Sequence, residues 1–106
     1  MHLTFAPMRH DMPLVLRRHG DRLCVNGAEL DLSGIPEGAV LPRAAVACDW
    51  LAGDIERRDG ILHLVLILPH GPDAPEATLF PAPILLTGDG PVTLPPYTAL
   101  SGGGVA

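Results

Sequence analysis

Glycine and proline interrupt this chain so regularly that the longest stretch free of both is the ten residues 43–52. Proline removes a backbone donor and clashes with the preceding helical turn, and glycine costs about 1 kcal/mol relative to alanine in a helix interior. Long helices are therefore excluded, and short strands joined by turns remain. At 106 residues the chain supplies one hydrophobic core. A single β-rich domain over residues 1–100 is expected, followed by a flexible Gly-rich tail over residues 101–106.

The turns then place the strands. Leu14-Val15-Leu16-Arg17-Arg18, Arg22-Leu23-Cys24-Val25 and Ala28-Glu29-Leu30-Asp31-Leu32 read as a three-stranded meander, separated by His19-Gly20-Asp21 and by Asn26-Gly27. Asn-Gly fits a type I′ turn, in which both central residues need positive φ. In the third strand Ala28, Leu30 and Leu32 alternate with Glu29 and Asp31, the period of two that buries one face and wets the other. Asp59-Gly60 makes a second such turn into Ile61-Leu62-His63-Leu64-Val65-Leu66-Ile67-Leu68, and Gly88-Asp89-Gly90 links Ile84-Leu85-Leu86 to Val92-Thr93-Leu94. Residues 43–52 read as a turn entering a strand with Val46, Cys48 and Trp50 on one face. Ile55 lies on the other parity, so a one-residue bulge is expected at Gly53. The fold class is all-β: an antiparallel meander of six to eight short strands forming a small sandwich or barrel, with Pro-rich loops.

Residues 61–68 are apolar on both faces, with leucine at every even position and Ile61, His63, Val65 and Ile67 at the odd ones. A one-layer sheet would leave one face wet. Either a second layer covers it or a second copy of the chain does. A homo-oligomer is expected, with Leu62, Leu64 and Leu66, or Ile61 and Val65 on the opposite face, at the subunit interface. The Pro-rich segment 69–83 reads as a long loop without a regular element, and His70, Pro72, Pro75 and Phe80 are its candidates for a partner-binding surface.

Net charge −5 argues against nucleic acid as a partner. The N-terminal residues show no basic segment leading into an apolar run, and no apolar run approaches the ~20 residues of a membrane span, so a soluble protein is expected. Cys24 and Cys48 are expected unpaired.

Sequence patterns for chemistry are weak. Arg17-Arg18-His19-Gly20 has the order that opens histidine phosphatases, but that fold needs helices that the glycines and prolines forbid. The five histidines match no zinc spacing; the alternative that survives is a metal-binding module or metal-dependent enzyme using His63 or His70 with Asp54 or Glu56. His10 and Asp11 are adjacent and point apart on a strand. Asp49, Asp54, Glu56 and Asp59 interleave with Arg57 and Arg58 as a solvated, ion-paired face. Of the aromatic residues a sugar would stack on, only Trp50 and Tyr97 are candidates, and Trp50 reads as core. No catalytic residue and no cofactor are expected.

The strings Asp31-Leu32-Ser33-Gly34-Ile35-Pro36-Glu37-Gly38-Ala39 with Leu41-Pro42, Trp50 with Gly53-Asp54-Ile55-Glu56-Arg57, and Leu66-Ile67-Leu68-Pro69-His70-Gly71 followed by Ala74-Pro75-Glu76 and Phe80-Pro81 carry a resemblance. Over residues 3–97 the chain resembles short proteins encoded in the tail or tail-fibre region of tailed bacteriophages and prophages. The resemblance implies a minor tail component or a tail-fibre assembly factor, acting by protein contacts in the bacterial cytoplasm or in the virion. It carries over no catalytic residue.

Overall fold

The computed structural model describes residues 1–95 and Tyr97; the tail expected at residues 101–106 lies outside the described residues. In chain order the elements are β1 (His2–Arg9), β2 (Leu16–His19), β3 (Arg22–Val25), β4 (Ala28–Asp31), β5 (Val40–Leu41), a 3-10 turn (Arg43–Ala45), β6 (Ile55–Arg58), β7 (Ile61–His70), the single-turn helix α1 (Glu76–Leu79), β8 (Ile84–Leu85) and β9 (Gly90–Pro91). They form two sheets, a larger one in the order β5-β6-β7-β1-β8 and a smaller one in the order β4-β3-β2-β9. The fold is all-β.

The smaller sheet is the expected meander, with Leu16 opposite Val25 and Leu23 opposite Leu30. Asn26 and Gly27 have φ of 48° and 87°, and Asp59 and Gly60 have φ of 54° and 75°, so both turns use the backbone freedom their residues supply. Leu16, Leu23, Val25 and Leu30 face Leu3, Phe5, Ile55, Leu62, Leu64, Leu66 and Leu68 of the larger sheet in one buried cluster. The core is almost wholly aliphatic.

An antiparallel meander does not describe the centre of the larger sheet. β1 runs parallel to β7 through eight residue pairs, from His2–His63 to Arg9–His70. A parallel pair needs a long crossover, and here the entire segment between the two strands supplies it. Pro7 is tolerated in β1 because β8 pairs only with His2 and Leu3, and among the described residues no other strand pairs with the rest of that edge and requires an amide there. Gly88-Asp89-Gly90 carries the chain between sheets and not around a hairpin, since β8 pairs with β1 while β9 pairs with β2.

Residues 43–52 give a 3-10 turn and then a single bridge, Leu51 to Leu66. Between that bridge and the Glu56–His63 pair lie four residues on one strand and two on the other. The bulge at Gly53 therefore inserts two residues, which preserves parity: Leu51 and Ile55 are both buried, and Trp50 is only half-buried. The Pro-rich segment is also shorter than expected as a loop, because β7 extends through His70 and α1 follows, with Thr78 buried.

Candidate functional site

Parity along β7 divides the proposed interface residues between two environments. Leu62, Leu64 and Leu66 are buried within one chain against the smaller sheet, so they are core residues and not an interface. Ile61 and Val65 stand half-buried on the opposite, outer face. Pairing sets the rest of that face: one row crosses all five strands as Val40, Glu56, His63, His2 and Leu85. The next positions add Val65 beside Thr4 and Ile67 beside Ala6. Val40 is 52% exposed and Leu85 56% exposed at the two ends of the row, and Glu56, His63 and His2 between them are half-buried.

The two sheets differ in what they show to solvent. The outer face of the smaller sheet carries Arg17, His19, Arg22, Cys24, Glu29 and Asp31, with Arg22 3.5 Å from Glu29 and 3.9 Å from Asp31. The outer face of the larger sheet is mostly apolar, and its charge is confined to one end. There Arg58 lies 3.6 Å from Glu56 and 3.4 Å from His63 Nδ1, and the His63 and His2 rings are 5.0 Å apart. Burial pushes the His63 pKa below its ordinary value, and the positive charge of Arg58 and His2 adds to the shift against a smaller opposing effect of Glu56.

Of the partner-loop residues, His70 is half-buried with its Nδ1 3.0 Å from Gly71 O, and Pro75 is half-buried ahead of α1. Pro72 is exposed, and Phe80 is 77% exposed just after the helix. His63 and His70 project from opposite faces of β7, so the two imidazoles do not share a site. Asp54 is engaged by the Arg43 amide at 2.8 Å. Among the described residues no group of three or more His, Cys, Asp and Glu side chains is placed to hold a metal ion. Arg57 is not on the solvated face at all; it points inward and reaches the opposite sheet. Cys24 and Cys48 are both free thiols.

One grouping follows from the structure and not from the sequence patterns. A depression of about 440 Å³ is lined by Met8, His10, Met12, Asp49, Trp50 and Ile67. Met8 stands on the outer face, and His10 continues the ladder through its amide to His70 O. The bulged segment brings in Trp50, whose ring lies 5.0 Å from that of His10 at an angle of 58°. His10 is further fixed by the Met12 amide, which donates to its Nδ1 at 3.0 Å, and by the Tyr97 hydroxyl, which donates to its carbonyl. The alternation Met8-Arg9-His10-Asp11-Met12 is visible in the sequence, but its meaning depends on β1 running as far as Arg9. A second depression, of about 320 Å³, has no charged side chain in its lining and lies among Leu14, Leu68, Leu94 and Tyr97.

Among the described residues no helix is long and apolar enough to cross a membrane. No protein-family model matches the chain, and neither a curated protein nor a solved structure matches it.

Proposed function

We propose that the chain is a non-enzymatic, prophage-derived domain that works by protein–protein contacts, as a minor tail component or a tail-fibre assembly factor. The observation that supports the contact reading is the outer face of the larger sheet, where Val40 and Leu85 are exposed and Ile61, Val65 and Ile67 are half-buried. Apolar side chains left partly exposed together on one sheet face mark an interaction surface. The occupant proposed for it is a second copy of the chain. Glu56 and Arg58 both lie on this face, so a two-fold mate can set its arginine against the other's glutamate. Tail or tail-fibre proteins would then engage the resulting assembly, with Pro72 and Phe80 exposed beside α1 for that contact.

The test combines light scattering of the purified chain with affinity recovery from its own host after prophage induction. Wild type is expected to self-associate and to enrich a tail or tail-fibre protein. The double variant Val40→Glu/Leu85→Glu, which changes only exposed positions, is expected to be a folded monomer. A wild-type chain that stays monomeric at high concentration and enriches no tail protein overturns the reading. Recovery from lysate but not from particles identifies an assembly factor; recovery from particles identifies a structural component.

A further inference from the structure

We propose that Met8, His10, Met12 and Trp50 form a binding site for a soft monovalent cation, Cu(I), for which Ag(I) is a redox-inert substitute. Methionine is among the residues most often buried, yet Met8 is 49% exposed and Met12 52% exposed, and both open onto the depression that His10 and Trp50 line. Thioether sulfur is a poor ligand for zinc, calcium or magnesium and a good one for Cu(I), and imidazole suits copper as well. Two thioethers and one imidazole supply three neutral donors. Trp50 lines the same depression with its ring 5.0 Å from that of His10, and an indole attracts a cation at its face; Asp49 is in the same lining.

The local hydrogen bonds indicate what binding must rearrange. His10 Nδ1 accepts from the Met12 amide, so the neutral ring carries its proton on Nε2. Coordination through Nε2 moves that proton to Nδ1, leaving the ring neutral and releasing the Met12 amide. The Met12 sulfur, 3.7 Å from Asn26 Nδ2, exchanges that weak contact for the metal. The segment that must yield is residues 10–13, the exposed part of the connection between β1 and β2, outside both sheets.

This proposal does not rest on the contact reading. Replacing methionine by leucine keeps the apolar surface and deletes the sulfur lone pairs, so metal binding and self-association can fail separately. The experiment titrates the full chain, purified without a histidine tag, with Ag(I) and with Cu(I) under a thiol-free reductant. Three readouts are followed: fluorescence of Trp50, the only tryptophan; the methyl carbon signals of the three methionines; and mass by light scattering.

One equivalent is expected to quench Trp50 and to shift the Met8 and Met12 methyls while the buried Met1 methyl stays in place. The Cys24→Ser/Cys48→Ser variant is expected to respond in the same way. Met8→Leu/Met12→Leu is expected to bind at least about tenfold more weakly, with unchanged mass. Absence of quenching in wild type, loss of the response with the cysteines, or undiminished binding by the leucine variant each overturns the proposal. Equal binding of Zn(II) at the same methyls does so too.

Discussion

Arg57 sits on β6 with its side chain only 15% exposed, and it ties the two sheets together. It donates to the carbonyls of Ile35 and Leu32 and lies 3.1 Å from Asp21 of the smaller sheet's first turn. The Asp21 carboxylate is partly in water, so most of the stabilisation comes from the carbonyl contacts, which lose their donor if Arg57 is removed. Arg57→Ala is expected to cost about 2 kcal/mol in urea unfolding. Arg57→Lys should recover less than half, because an ammonium cannot reach three acceptors with the guanidinium's planar fork. A wild-type midpoint for the alanine variant would show that water replaces all three contacts. His63 gives a pH dependence of defined sign. Its folded pKa lies below the ordinary 6.5, so the unfolded chain binds more protons between the two values. The stability that this group contributes is intact above about pH 6.5 and is lost as the pH falls through the folded pKa. Melting temperature measured from pH 7.5 to 5 should therefore decline, and His63→Gln should flatten that decline. An unchanged slope in the variant would assign it to other groups.

At the scale of elements, Gly53 packs closely against β7. A Cβ built there meets Val65 Cβ at 3.2 Å and Cγ2 at 3.3 Å, and Val65 is held by the ladder on the central strand. Gly53→Ala is expected to destabilise by about 1–3 kcal/mol, the usual cost of overpacking, in thermal or urea unfolding. No loss would mean that the two-residue bulge shifts freely. The bulge also illustrates what the sequence makes legible. Gly53 marks its place, but its length is set by Leu51 and Ile55 both turning inward, which the alternation of Val46, Cys48 and Trp50 does not disclose. The Asn26-Gly27 and Asp59-Gly60 turns were fully legible because positive φ is a local demand. By contrast, Glu37 accepts from the Asp59 and Gly60 amides at 2.8 and 2.7 Å, a long-range cap that no local pattern announces.

For the whole molecule, the apolar character of both faces of β7 identified the central strand, and the structure resolves the alternatives in part. The even face is covered by the smaller sheet, and the odd face is half-buried. What composition could not reveal was the neighbour of β7, since β1 and β7 are joined by register and not by a turn. The same limitation hid the Met8, His10, Met12 and Trp50 grouping, whose members meet only through that pairing and the bulge. The parallel pair also has a temporal consequence. Each β1 residue is bonded to a strand position sixty-one residues later. At roughly 5–20 residues per second, a ribosome exposes β1 some 3–12 s before its partner emerges. Leu3 and Phe5 must spend that interval unpaired, while the β2–β4 meander can already close behind them. β1 therefore waits for β7 before that pairing can form, and a chaperone that holds extended apolar segments has its opportunity in that gap.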